Sequence, residues 1–141
     1  MVVVLIIGVL VAIALPTFLG ARQRAADTAA KSSIRSALTA GRVIYTTEQD
    51  YTAATVATLE ATESSIDWRD DVTESDGPTA VSTLAVDQGT LVLAVFSSSG
   101  TCFALRDEAP DRTTYATLTP ATAPDCTAGN IEATLPFGPS W

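Results

Sequence analysis

Histidine is absent from this chain of 141 residues, and cysteine occurs only twice. Without histidine, the chain lacks the usual general acid-base group at neutral pH and the commonest nitrogen ligand for metals. Carboxylates alone would have to do that work, and no motif sets two of them in a dry pocket. Two cysteines without a histidine also argue against a zinc site. We therefore predict no catalytic residues, no metal ligands and no cofactor, and an enzyme is the least favoured class.

Positive charge and aromatic rings are also scarce. The chain carries 8 Lys and Arg against 16 Asp and Glu, a net charge of −8, and only 6% of its residues are aromatic. This balance argues against nucleic acid as the main partner, because a phosphate backbone needs a basic surface. The charge is unevenly divided: up to Arg42 there are five cations and one acid, net +4, and the remainder holds three cations and fifteen acids, net −12. We predict that the basic stem of one copy lies near the acidic head of a neighbour.

Residues 1–21 carry no charge at all. They read MVVVLIIGVLVAIALPTFLGA, with no polar side chain before Thr17. A helix that is apolar on every side cannot lie on the surface of a soluble domain. At about 1.5 Å per residue it would span about 32 Å, close to the roughly 30 Å hydrocarbon core of a bilayer. We therefore expect this segment to lie in lipid or against other copies of itself.

A row of small or flat residues runs along the same segment. Gly8, Ala12, Pro16 and Gly20 recur at every fourth position, so in a helix they share one side, along which another backbone can approach closely. We predict that these four residues form a packing face in a filament core. A cleaved secretory signal and an ordinary single-pass anchor, which would make no use of the row, are the alternatives.

From residue 22 to residue 50 the pattern changes from apolar to amphipathic. Apolar residues recur at helical spacing on one face, and the charged residues lie largely off it. Gly41 is on the apolar face, which indicates that a strand or loop approaches closely there. We predict one helix of about 50 residues, roughly 75 Å long; two helices broken at Pro16 or Gly20 are the alternative. The apolar face comprises Ala30, Ile34, Ala37, Leu38, Gly41, Ile44 and Tyr45.

Residues 51–141 are predicted to form a globular head. A short helix is expected over residues 55–65 and a loop over residues 66–79, with a turn at Asp76-Gly77-Pro78. Segments rich in Val, Leu, Phe, Tyr and Thr then alternate with turn residues, the pattern of antiparallel hairpins. The fold class is therefore α+β, with a long N-terminal helix packed on a small antiparallel sheet of about four strands. The predicted strands are Ala80–Val86, Thr90–Ser97, Thr101–Arg106 and Thr113–Thr119, followed by a coil over residues 120–141 that is held on the sheet.

The sequence MVVVLIIGVLVAIALPTFLGARQRA resembles a known family. The glycine of LIIG, the proline of IALP and the basic residues that follow are similar to the N-terminal helix of type IV pilins and the related pseudopilins. The likeness is specific over residues 1–25 and is only a general layout beyond them. Pilin precursors carry a short basic leader that a peptidase removes, and the mature chain has a glutamate near its start. Aligned on Gly8 and Pro16, Met1 would lie inside the mature family sequence.

This resemblance implies the major structural subunit of a type IV pilus-like extracellular filament. Residues 1–21 would be the membrane-inserted and then filament-core half of the helix, and residues 22–50 the half that packs on the head. The expected partners are other copies of itself, the membrane before assembly and the pilus assembly machinery, with adhesion and motility among the roles of such filaments. The resemblance also implies local unwinding between Gly8 and Pro16 after assembly. The alternatives are a pseudopilin of a type II secretion-like system and a membrane-tethered extracytoplasmic binding module.

Cys102 and Cys126 are predicted to form a disulfide, because a chain with an export or membrane segment reaches an oxidising compartment. Closing a loop of about 25 residues would stabilise the fold by roughly 3.5 kcal/mol, and the bond would hold the tail on the sheet. Pilins also fasten a C-terminal region in this way. Two independent reduced thiols are the alternative.

An acidic cluster in the loop of residues 66–79 is a candidate calcium site, as in a loop of some pseudopilins. Its spacing does not fit an EF-hand, so a solvated loop is the favoured interpretation. The cluster consists of Asp67, Asp70, Asp71, Glu74 and Asp76.

Overall fold

The computed structural model places the backbone of residues 1–141 and describes every side chain outside residues 11–17. Its longest element is a single helix of 47 residues, α1 (Val2–Glu48), which at about 1.5 Å per residue is about 70 Å long. The prediction of one long helix rather than two is therefore confirmed. The helix stops at Gln49, whose left-handed backbone (φ 55°) donates its N–H to the carbonyl of Tyr45.

The sheet has five strands that follow one another in chain order. The first two run parallel, and the remaining pairs are antiparallel hairpins. The strands are β1 (Asp67–Arg69), β2 (Ala80–Asp87), β3 (Thr90–Ser97), β4 (Thr101–Glu108) and β5 (Arg112–Leu118). All four predicted strands are present, with ends that differ by at most two residues. The fold is thus α+β, but the prediction of a four-stranded antiparallel sheet is wrong, because the sheet is mixed and has five strands.

The additional strand, β1, lies in the segment that was predicted to be a loop. It is only three residues long, and charged Asp67 and Arg69 flank its one apolar residue, Trp68. So short a strand shows no alternation that could be recognised in the sequence. Trp68 is buried, and its indole N–H donates to the carbonyl of Glu63 at 2.9 Å. This side chain fixes the edge of the sheet beneath a short helix, α2 (Val56–Thr62), which lies inside the predicted helix of residues 55–65.

The second half of α1 packs on one face of the sheet, chiefly on β3. Ala30, Ile34, Ala37 and Ile44 are buried there, as their helical spacing predicts. Leu38 and Tyr45, also assigned to the apolar face, are only partly buried. The opposing side chains alternate along the strands, as the pleat requires; they include Val81, Leu91, Leu93, Val95, Phe103 and Leu105.

The C-terminal segment covers the other face of the sheet. It was predicted to be coil, but it contains a 3₁₀ turn (Ala123–Asp125) and a short helix, α3 (Ala128–Thr134). Thr127 caps this helix by accepting a hydrogen bond from the N–H of Asn130 at 3.1 Å. Ala128 and Ile131 are fully buried against the sheet. Because so few residues of this segment face inward, its helical period could not be recognised.

The last residues return to the free edge of β5. Tyr115 and Gly138 exchange two backbone hydrogen bonds of 2.7 and 2.8 Å, which form an isolated bridge. The indole N–H of Trp141 donates to the carbonyl of Ala104 at 2.9 Å. The tail is therefore held on the sheet, as the sequence predicts.

Gly41 is the point of closest approach between α1 and the sheet. A Cβ built there would lie 2.5 Å from Cδ2 of fully buried Leu91, so the prediction of a close strand is confirmed. We expect Gly41→Ala to lower the free energy of unfolding by about 1 kcal/mol, since overpacking costs about 1–3 kcal/mol and the helix propensity of alanine offsets about 1 kcal/mol. In a Leu91→Val background, which lacks that Cδ2, the same change should stabilise. Urea unfolding of the four chains measures this, and an equal effect in both backgrounds would contradict it.

Candidate assembly surface

The described side chains in the first half of α1, those of residues 2–10, Phe18 and Leu19, are largely uncovered. The large side chains of residues 2–10 are 51–72% exposed, and Phe18 and Leu19 are 67% and 58% exposed. Burying such side chains is worth about 1.5–3 kcal/mol each when complete, so covering these ten is worth on the order of 10 kcal/mol. Uncovered apolar area on this scale marks a surface that meets a partner or lipid.

Two members of the predicted small-residue row face open space. Among the described residues, no atom lies within 4 Å of a Cβ built on Gly8 or on Gly20, so no contact with them explains a glycine at either position. Ala12 and Pro16, the other two members, lie outside the residues whose side chains are described. Among the residues that are described, no helix is both long enough and apolar enough to cross a membrane.

Asp27 marks the point at which α1 reaches the head. Its carboxylate accepts hydrogen bonds from the hydroxyls of Ser97 and Ser99, at 2.7 and 2.5 Å. These serines lie at the turn between β3 and β4. The helix N-terminal to this point bears the uncovered apolar side chains, and the helix C-terminal to it bears the buried ones.

A buried carboxylate fixes α1 to the opposite end of the head. Asp107 on β4 is 1% exposed and binds Arg42 of α1 in bidentate fashion, with Nη2 to Oδ1 at 2.6 Å and Nε to Oδ2 at 3.1 Å. The hydroxyl of Tyr51 donates to the same carboxylate at 2.6 Å, and that of Thr113 on β5 at 2.8 Å. Both oxygens are thus occupied by donors of the chain itself, which is the arrangement of a structural ion pair.

The charges of this cluster stabilise one another. Burial acts to raise the pKa of Asp107, but hydrogen bonds from Arg42, Tyr51 and Thr113 and the positive charge of Arg42 outweigh it and hold the pKa below its usual value. The pKa of Tyr51 is raised, first by burial and then by its hydrogen bond to Asp107. At neutral pH the cluster therefore holds one anion, one cation and one neutral phenol.

This ion pair changes the prediction for the basic stem. Arg42, one of its five cations, is paired within its own subunit, so it is not free to bind a neighbour. In the described part of the chain, no carboxylate lies within 4.0 Å of the other four cations. These are Arg22, Arg24, Lys31 and Arg35.

Two of those four cations lie against aromatic rings. The ammonium of Lys31 is 4.7 Å from the centroid of the Phe103 ring and 5.5 Å from that of Trp141. The guanidinium carbon of Arg35 is 5.2 Å from the Trp141 ring. The ring of Tyr115 meets Trp141 edge-on, with centroids 4.5 Å apart. Rings at these distances attract cations, but they leave the N–H donors without acceptors.

The acidic cluster is dispersed along an exposed loop. Asp67 pairs with Arg69 at 2.5 Å, and Asp76 lies 3.9 Å from the same guanidinium. Asp70 accepts a hydrogen bond from the N–H of Thr73 at 2.7 Å. Among the described residues, no three potential ligands stand together as a metal site would require. The solvated loop remains the favoured interpretation.

Cys102 and Cys126 form the predicted disulfide, with their Cα atoms 5.6 Å apart. It joins β4 to the segment that leads into α3.

The roles of Asp107, Tyr51 and Trp141 were not predicted. For Asp107 a signal existed, because it follows Phe103 and Leu105 at alternate positions of β4 and should face the helix as they do. Trp141 lies in a segment that shows neither a helical nor a strand period, so its position against the sheet could not be predicted from the sequence.

No family model, curated protein or solved structure matches this chain.

Proposed function

We propose that this chain is the structural subunit of a type IV pilus-like extracellular filament and that it polymerises through residues 1–21. The observation that supports this proposal is the uncovered apolar half of α1, which extends from a head that is already complete. The head has a core on each face of its sheet and is closed by a disulfide. The apolar half-helix therefore has no partner to gain within its own subunit.

Two environments can cover that half-helix. Before assembly it would lie in lipid, and afterwards in a bundle of parallel half-helices in which Gly8 and Gly20 allow close contact between backbones. Copies that meet through unlike patches do not close into a ring unless the rotation between them allows it, so such contacts propagate a fibre. An export compartment also agrees with the disulfide.

Electron microscopy of filaments sheared from cells that produce the chain tests this proposal. We expect thin filaments whose subunit has the mass of this chain, with α1 at the axis and the head outside. Purified full-length protein that stayed monomeric and dispersed in plain buffer, with residues 1–21 exposed, would contradict the proposal. A chain that remained single in mild detergent and formed no filament on cells would instead favour a tethered binding module.

Gly8→Leu tests the packing face by itself. A leucine fits the free subunit, since nothing lies within 4 Å of the new Cβ, but it would hold neighbouring backbones apart. We expect about tenfold less filament at equal subunit concentration, equivalent to about 1.4 kcal/mol of contact energy, with unchanged unfolding of the head. Val9→Leu, which adds apolar bulk beside the row, is the matched control. An equal yield from both variants would show that the row is not a packing face.

A further inference from the structure

The uncovered charges of the head lie on two different surfaces. Lys31 and Arg35 point toward β4 and the residues beside β5, which is one edge of the sheet. The loop of residues 70–76 follows β1 and lies on the face that α3 covers, where the N–H of Gly129 donates to the carbonyl of Asp71. A subunit therefore presents cations and acids on separate surfaces, and a second copy can bring the two into contact.

The cationic edge contains a cavity of about 380 Å³. Its walls are Lys31, Arg35, Tyr115, Pro139, Ser140 and Trp141. The indole of Trp141 is fixed by its hydrogen bond to the carbonyl of Ala104, so the wall is preformed. Aromatic side chains next to two cations fit a ligand that carries an apolar tip and flanking acids. We call this site the Trp141 cavity.

The loop of residues 70–76, which we call the acidic loop, has that chemistry. Its tip is Val72, which is 75% exposed, and Asp71 and Glu74 lie next to it in the chain. The turn that presents Val72 is closed by the hydrogen bond from the Thr73 N–H to Asp70. At this exposure most of the Val72 side chain is available for contact with another molecule.

The acidic loop is held firmly at both ends. The N–H of Gly129 donates to the carbonyl of Asp71 at 3.0 Å. The hydroxyl of buried Ser75 donates to the carbonyl of Ala80 at 2.6 Å and accepts from the N–H of Phe96 at 2.7 Å. A rigid loop loses little conformational entropy on binding, which favours its use as a contact.

We infer that the acidic loop of one copy docks into the Trp141 cavity of the next copy in the filament. Val72 lies on the rings of Trp141 and Tyr115, and the neighbouring acids accept hydrogen bonds from Lys31 and Arg35. This inference rests on the proposed function, because it names the head-to-head contact of that polymer. Since the two surfaces are different parts of the head, the contact is heterologous and can repeat from copy to copy.

Assembly of full-length variants tests the inference. Val72→Ser should raise the subunit concentration needed for filaments about tenfold, the scale of a lost interface anchor. Val86→Ser, at a half-exposed valine of β2, is the matched control and should assemble normally. The double variant Lys31→Glu with Arg35→Glu should also assemble about tenfold less well, and adding Asp71→Lys with Glu74→Lys should restore assembly. Unfolding of each head is followed in parallel by circular dichroism, to separate assembly from folding.

Each outcome decides between the proposals. Restoration by the fourfold charge reversal supports the inference, because only a direct contact between the acidic loop and the Trp141 cavity predicts it. If wild-type filaments form and Val72→Ser assembles as Val86→Ser does, the inference is overturned and the proposed function stands. If the cation variants fail and the loop variants do not, the cavity binds something other than this loop, and the inference is again overturned. If the wild-type chain forms no filament, the proposed function fails and the inference with it.

Discussion

Replacing Arg42 by methionine is expected to cost the head about 3 kcal/mol of unfolding free energy, the lower end of the range for a buried ion pair that loses one partner. The loss is large because Asp107 would keep its charge at 1% exposure with only the hydroxyls of Tyr51 and Thr113 as donors. Methionine preserves most of the apolar stem of arginine, so the effect reports the charge rather than the packing. Urea unfolding in mild detergent measures it.

Arg35→Met is the matched control for this substitution. It removes the same side chain from the same helix, but the guanidinium of Arg35 has no carboxylate partner among the described residues and lies over the ring of Trp141. A cation over a ring is worth about 0.5–1 kcal/mol at an exposed site. A loss from Arg42→Met no larger than that from Arg35→Met would show that the Asp107 cluster does not hold α1 on the sheet.

The difference in stability between the wild type and Arg42→Met is expected to depend on pH, with a definite sign. In the wild type the pKa of Asp107 is lowered, so its contribution to stability is present above the unfolded value of about 4 and is lost as pH falls through the folded value. Without Arg42 we expect the pKa of Asp107 to be higher than in the wild type, because burial, which raises it, is then opposed only by the hydrogen bonds of Tyr51 and Thr113. The variant is therefore penalised most at neutral pH. The difference between the two chains should shrink as pH falls toward and below about 4, and a constant difference would contradict this account.

Removing the disulfide is expected to have the largest effect of all. The bond joins residues 24 apart in the sequence, and a loop of this size is worth about 3.5 kcal/mol through the entropy of the unfolded chain. Cys102→Ala with Cys126→Ala avoids burying polar atoms at two positions that are fully buried. We expect α3 and the residues after it to become sensitive to proteases before the rest of the head does, because the bond fastens the start of that segment.

Reduction provides the control for this variant. Wild-type protein unfolded in the presence of dithiothreitol should lose about the same free energy as the double alanine variant, whereas the variant itself should not respond to the reductant. If the alanine variant loses less than about 1 kcal/mol, well below the typical 2–4 kcal/mol, hydrophobic contacts of Ala128 and Ile131 rather than the disulfide would hold the tail.

The main elements could be predicted because long patterns specify them. Apolar residues recur at helical spacing over many turns of residues 22–50. The strands β2 to β5 are segments rich in apolar residues, and turn residues separate each strand from the next. The elements that were missed are short. β1 has three residues and α3 has seven, and each is held by tertiary contacts of one or two side chains rather than by a period of its own.

Only part of the candidate assembly surface could be predicted from the sequence. Gly8 and Gly20 could be selected from sequence because their spacing alone aligns them on a helix. The Trp141 cavity could not, since it brings together α1, β5 and the end of the chain, and no local pattern links residues so far apart. The pairing of Arg42 with Asp107 could not be predicted, because the partner of a charge depends on which strand faces it across the core.

The edges of the sheet bear on what kind of fibre the proposed subunit would make. One outer strand has three residues, of which two are charged, and the other has its middle residue already bonded to Gly138. Neither edge offers the long run of free amides and carbonyls on which amyloid grows. The subunits of the proposed filament would therefore not be joined by strand addition, and such a fibre can be taken apart again without unfolding any of them.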